Sequence, residues 1–276
     1  MNYETVLNAD GVALNMIKSD VIEGRTWIVL IMPFGIQLQM ADVFVEFFSL
    51  QYNVVTYEAR SILEQSERGV SENEFSIENH VEDLKLVIEA CASEKFYLVG
   101  YCSGAGVALA AAKKYPELVE QLILVHGEYA MLDVPGCTSQ FAQEVDSLLS
   151  MAAKDEEHLN LVFKKISGER FENTLGRPEG IDLAFTDKAY LRRYAANYLE
   201  YKRVDFCKLA NDIKHKTLIM AGEKDLQSNV KSAQTIQQMI SNSEIYIDPD
   251  ADHYGLLRDE SNTMVTIWNY LCNVRP

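Results

Sequence analysis

The pentapeptide Gly100-Tyr101-Cys102-Ser103-Gly104 sets a thiol beside a hydroxyl between two glycines. An apolar run, "KFYLVG", leads into it, and the small residues of "AGVALAAAKKYP" follow. A strand, a tight turn and a helix in that order have the spacing of the nucleophile elbow G-x-S-x-G, with cysteine at the serine position. Only residues without bulk fit the flanks of so sharp a turn. The central side chain then stands clear at the strand's C-terminal end. A thiol there also meets a helix N-terminus, whose N–H groups and dipole favour the thiolate. Ser103 competes as nucleophile, but the flanking glycines are out of step with it. In elbow geometry residue 103 gives its backbone N–H to an oxyanion hole while its side chain points away from the substrate. The plainer alternative is that Cys102 is a small residue filling a corner.

A nucleophilic thiol needs a base, and the base needs an acid to orient it. The order nucleophile, acid, histidine places the acid after the next core strand and the histidine near the C-terminus. Asp225 follows "LIMAGEK" and His253 follows "IYIDPDAD", at those stations. Glu128, after "LVEQLILVHG", is the fallback acid. His80 lies among acidic residues on a helix and is expected in solvent; His158 and His215 are expected at the surface. His126 ends a strand and either lines the site or is a satisfied, half-buried imidazole. Asp252 is expected to cap its loop. The second oxyanion donor comes from the loop after "IVLIM". Pro33 has no N–H, so Phe34 is the better donor and Gly35 the next; the alternative is that "PFG" is only a turn.

These residues need a frame. "TVLN-ADG-VALNMI" reads as a hairpin turning at Asp10-Gly11. "TWIVLIM", "YNVVTYEAR", "KFYLVG" and "LVEQLILVHG" are apolar runs of strand length, as expected for strands covered on both faces. Helical spacing marks "MADVFVEFFSL" and "SIENHVEDLKLVIEACA" between them. After a gap the alternation resumes with "HKTLIMAGEKD", "SNVKSAQTIQQMI", "SEIYIDPDADH" and "RDESNTMVTIWNYLCN". The expected architecture is α/β, with a mainly parallel sheet between helical layers. The gap, about 132–208, has helical periodicity and little β signal, the plan of a cap inserted between core segments 1–131 and 209–276.

Composition narrows the partners. The chain has 276 residues, 48% hydrophobic and 24% charged, with a formal net charge of −16. A field of that sign excludes nucleic acid and anionic membrane surfaces as general partners. Five cysteines without C-x-x-C spacing argue against a disulfide framework or a zinc site. The longest apolar runs are too short to span a bilayer. The first residues lack a basic and apolar leader pattern, so a cytoplasmic location is expected. From Met151 to Phe206 ten basic residues balance ten acidic ones, so the whole −16 lies elsewhere. Within this neutral segment Lys164, Lys165, Arg192, Arg193, Lys202 and Arg203 form an expected landing site for a phosphopantetheine or coenzyme A phosphate, unless each is simply a solvated charge. Tyr190, Tyr194, Tyr198 and Tyr201 recur on one helical face, either packing on the body or lining an acyl pocket. Tyr101, beside the thiol, is a further candidate substrate contact.

With "GYCSG", "AGEKD" and "DADHYG" in this order, the chain resembles the α/β-hydrolase fold proteins that carry a helical cap. "YEAR" occupies the place of that family's acidic-x-Arg turn, which makes Arg60 a structural, salt-bridging residue. A cysteine nucleophile also occurs in dienelactone hydrolases and polyhydroxyalkanoate synthases. The chain is most similar to cysteine-bearing acyltransferases and thioesterase-like proteins of natural-product pathways. It departs from the usual pattern where Met32-Pro33 replaces His-Gly. The resemblance implies a Cys102–His253–Asp225 acyl transferase or thioesterase that needs no cofactor or metal. Its substrate would be an acyl group on coenzyme A or an acyl-carrier protein, its acceptor an amine, an alcohol, a carbon nucleophile or water. The alternatives are an ester or lactone hydrolase, and a hydrolase-like binding protein without catalysis.

Overall fold

The apolar runs become the centre of a sheet: β3 (Trp27–Ile31), β4 (Asn53–Tyr57) and β5 (Phe96–Tyr101) are buried at every residue. The structure is a computed structural model that describes residues 1–65, 70–71, 73–91, 93–168, 178–259 and 261–272. Among these, β1 (Asn2–Leu7), β2 (Ala13–Lys18), β6 (Val119–Val125), β7 (Lys216–Gly222) and β8 (Ser243–Asp248) complete one sheet, in the order β1-β2-β4-β3-β5-β6-β7-β8. The β1–β2 hairpin and the β2–β4 pair are antiparallel. From β4 to β8 all pairs are parallel. The hairpin turns at Asp10-Gly11, with Gly11 at φ 75°, as its sequence predicts.

Strand side chains alternate between two apolar layers. Trp27, Val29 and Ile31 face one layer with α2 (Ile77–Glu89) and α3 (Ser103–Lys114). Ile28 and Leu30 face the other, with α1 (Asp42–Ser49) and α9 (Asn262–Cys272). The small residues of α3 are what let it lie so close to the sheet. A Cβ on Gly104 would stand 2.1 Å from the Ile31 carbonyl oxygen. Arg60 is buried and grips Asp83 with Nε and Nη2 at 2.5 and 2.6 Å, the structural role its motif implies. No helix among the described residues is long and apolar enough to cross a membrane.

Between β6 and β7 the chain leaves the sheet to form the cap from α4 (Gln140–Ala152), α5 (Glu156–Gly168) and α6 (Lys188–Tyr201). Residues 169–177 of this insertion lie outside the described residues. The three helices share an apolar core of their own, with Leu149, Leu159, Val162 and Leu191 inside it. Short α7 (Phe206–Asn211) belongs to the body, since Phe206 and Ala210 sit in the core against the sheet. The cap therefore ends short of the expected boundary at 208. One more helix, α8 (Val230–Met239), connects β7 to β8.

Candidate active site

Cys102 sits on the corner between β5 and α3 with φ 53° and ψ −120°, a conformation L-residues rarely adopt. Hydrogen bonds on both sides hold it there. Its N–H donates to Val125 at 3.0 Å, and its carbonyl accepts from Ala105 at 3.1 Å and Glu128 at 3.2 Å. Gly100 admits no side chain: a Cβ there would stand 2.6 Å from the Ala105 Cα.

The loop after β8 delivers His253, buried at 4% exposure. Its Nδ1 lies 2.8 Å from Asp225 Oδ2, and the ring borders the same cavity as Cys102. With Nδ1 on the carboxylate, Nε2 is the nitrogen left for the thiol. The Tyr101 hydroxyl donates to the His253 carbonyl at 2.7 Å and so holds this loop from beneath. Asp225, in the turn after β7, accepts the Gln227 and Ser228 N–H groups at 2.8 and 3.0 Å on Oδ1. The Ser228 hydroxyl adds a contact of 2.5 Å on Oδ2.

Burial opposes charge on both partners, but their mutual attraction wins. Desolvation alone would lower the His253 pKa; the Asp225 and Cys102 charges lift it well above its ordinary value. Desolvation would raise the Asp225 pKa; the His253 charge, the nearby His126 and the His253 hydrogen bond bring it far below the usual carboxylate range. At Glu128 burial outweighs the pull of the same His253 charge. Burial pushes its carboxyl up to about 7 against the opposing Ala130 N–H hydrogen bond.

The other expected residues divide. His126 does not line the cavity: at 1% exposure it is sealed behind Asp225, with Nδ1 3.0 Å from Oδ2 but off the line of a good hydrogen bond. His80 is not in solvent. It is 3% exposed, bonded through Nε2 to Asn197 Oδ1 at 2.7 Å, and packed on Phe34 with ring centroids 4.6 Å apart. Burial lowers its pKa to about 4, so the imidazole is neutral. The signal was in the sequence. His80 follows Ile77 by three residues and precedes Leu84 by four, which puts it on the apolar stripe of α2.

Phe34, Gly35 and Ser103 all border the cavity over Cys102. Ser103 departs from its expected orientation. Its hydroxyl turns toward the Phe34 loop and accepts the Phe34 N–H at 3.0 Å, so that donor has a partner in this state. Tyr194 and Tyr198 line the same cavity, whereas Tyr190 faces a separate groove beside Tyr3 and Gln37. Tyr101 reaches the cavity rim, but its hydroxyl is spent on His253. Tyr201 ties the cap to the elbow, its hydroxyl 3.0 Å from the Ser103 carbonyl and 2.6 Å from that of Glu128.

The basic landing site is not assembled. Arg192 pairs with Glu156, Lys202 with Asp146 and Arg203 with Glu200. Arg193 is buried and holds Glu74, with the Phe75 ring beneath it. Lys164 and Lys165 remain exposed. The ligand atoms of His126, Asp225 and His253 lie within 4.8 Å of one another, a donor set a divalent metal accepts. The carboxylate that would complete it is already engaged by four donors: two N–H groups, the Ser228 hydroxyl and His253.

A parallel sheet, a strained corner after β5, and an acid and a histidine on the loops after β7 and β8 define a class. The chain belongs to the α/β-hydrolase fold family: residues 50–260 match the model described as alpha/beta hydrolase fold, a stretch that holds Cys102, Asp225 and His253. It is 26% identical over 180 residues to an L-allo-isoleucyltransferase of Pseudomonas savastanoi pv. glycinea. That match covers 63% of this chain and 61% of the relative, so the chain spans less than two thirds of the relative's length. A thermophilic esterase from Thermogutta terrifontis superposes with a TM-score of 0.74 at 20% identity, covering 100% of both chains. An esterase from Exiguobacterium antarcticum gives 0.70 at 17% identity, covering 97% of this chain and 98% of that one. At such identities these two structures speak to the fold alone.

Proposed function

We propose that the protein transfers an acyl group from a thioester, on coenzyme A or a carrier protein, through a covalent intermediate on Cys102. The observation that carries this reading is His253, anchored on Asp225, sharing one cavity with the thiol of a residue held in a strained conformation at the strand end. His253 takes the thiol proton, and the thiolate attacks the acyl carbonyl. The oxyanion gathers on the N–H groups of Ser103 and the Phe34 loop. For Phe34 to join, the Ser103 hydroxyl must give up the bond it now accepts. The tetrahedral adduct collapses, the donor sulfur leaves with the proton from His253, and the acyl group stays on Cys102. An acceptor then loses its proton to His253, attacks the new thioester and releases Cys102.

A cysteine suits transfer better than ester hydrolysis. Exchanging one thioester for another costs little, whereas a thiolate expels an alkoxide poorly. The similarity to a protein named for L-allo-isoleucyl transfer supports transfer over hydrolysis, and an amino-acid-derived acyl group. The test is intact-mass spectrometry after incubation with a panel of acyl thioesters and matching oxygen esters. The expected result is an acyl adduct from thioesters on the wild type and none on Cys102→Ala. An adduct that survives in Cys102→Ala, or forms faster from oxygen esters, overturns the reading.

A further inference from the structure

We propose that Glu128 selects acyl groups carrying a cationic amine next to the thioester carbonyl, its carboxylate pairing with the ammonium while Cys102 holds the acyl group. The proposal rests on the transfer reading above and adds the residue that sets its substrate class.

Glu128 is fixed to the elbow itself, since its N–H donates to the Cys102 carbonyl at 3.2 Å. One carboxylate oxygen, Oε1, accepts the Ala130 N–H at 2.8 Å. The other oxygen has no hydrogen bond among the described residues, and the side chain borders the cavity that contains Cys102 and His253. The orienting role toward His253 is taken, because Nδ1 is already on Asp225. A carboxylate in low dielectric is costly without a counter-charge. The raised pKa of Glu128 is that cost expressed as proton affinity.

The one imidazole of the described lining, His253, also lies on Asp225, so its charge is shared between two carboxylates. Among the described residues around this cavity of about 120 Å³ are two carboxyl side chains, Glu128 and Asp182, and no lysine or arginine. Phe141, Val145 and Phe185 of the cap make the rest of the wall apolar. A ligand matched to this lining has an apolar side chain and a compact positive charge near the reacting carbonyl. An α-aminoacyl group has both, with its nitrogen on the carbon next to the thioester carbonyl. A fatty acyl group leaves Glu128 unpaired, and an acyl group with a free carboxylate meets repulsion.

The experiment follows acylation of Cys102 by intact mass with three N-acetylcysteamine thioesters: L-leucyl, its deaminated isostere 4-methylpentanoyl, and N-acetyl-L-leucyl. An α-ammonium activates the carbonyl intrinsically, so the decisive quantity is how the leucyl-to-isostere rate ratio changes in Glu128→Gln. It is expected to fall about tenfold or more, and N-acetyl-L-leucyl is expected to behave like the isostere. A second measurement needs no variant. Leucinamide should protect wild-type Cys102 from iodoacetamide at a concentration about tenfold lower than 4-methylpentanamide does. An unchanged ratio in Glu128→Gln, or equal protection by the two amides, overturns the ammonium subsite. If Cys102 is acylated but indifferent to the amine, only this inference falls. If no thioester acylates Cys102, the transfer reading fails and takes the inference with it.

Discussion

At the scale of the residue, two carboxylic acids near one thiol have opposite environments. Asp225 is surrounded by donors and stays charged, whereas Glu128 has one N–H and a shortage of positive charge. Glu128 therefore carries a stability signature. In the unfolded chain it titrates near 4.5 and in the fold near 7, so the fold is favoured while the carboxyl is protonated. That advantage is complete below about pH 4.5 and is lost as pH rises through about 7. In a series of thermal melts, wild type should lose Tm relative to Glu128→Gln across that window, and the gap should be constant above it. Parallel curves would show that the carboxyl is solvated. Cys102, Asp225 and His253 were legible in the sequence because each sits just past a strand end, where connection order determines what meets. The roles of His126 and Ser103 were not, because each depends on the direction one side chain takes at a crowded corner.

At the scale of the element, α6 joins cap to body by polar pegs. Arg193 reaches Glu74 and the Ser61 carbonyl, Asn197 reaches His80, and Tyr201 reaches the elbow. Glu74 is 5% exposed at its side chain and pairs with Arg193. Replacing Arg193 with Met takes the guanidinium away from Glu74 and leaves that carboxylate the Ser61 and Ser71 donors, which costs about 1–3 kcal/mol. Denaturant unfolding should report the loss as a lower midpoint at similar slope; a change within about 0.5 kcal/mol would mean that Glu74 finds water. The helical period of α6 was readable, and so was its tyrosine stripe. The partners were not, since Glu74 lies 119 residues before Arg193 and no local pattern links them. Exposure was therefore the natural expectation for an arginine among other cations.

At the scale of the whole molecule, the strand–helix alternation and the place of the insertion were read directly from apolar runs, whereas the strand order came only with the coordinates. The net charge of −16 makes like-charge repulsion a general load on the fold. Raising the salt from about 10 to about 150 mM should lift Tm by a few degrees, because it screens the surface more than the buried pairs. A fall in Tm would place the balance with exposed ion pairs instead. The private apolar core of α4, α5 and α6 has a consequence for how a bulky donor gets in. Much of the hydrocarbon those helices bury is buried among themselves, so tilting them away as one plate would wet little of it. What must yield along α6 is a set of directional contacts together with the packing of Tyr194, Ala196 and Tyr201 on the body. Admission would then be governed by this one seam, where water must replace polar bonds and wet a narrow aromatic strip, while the interior of the plate stays dry.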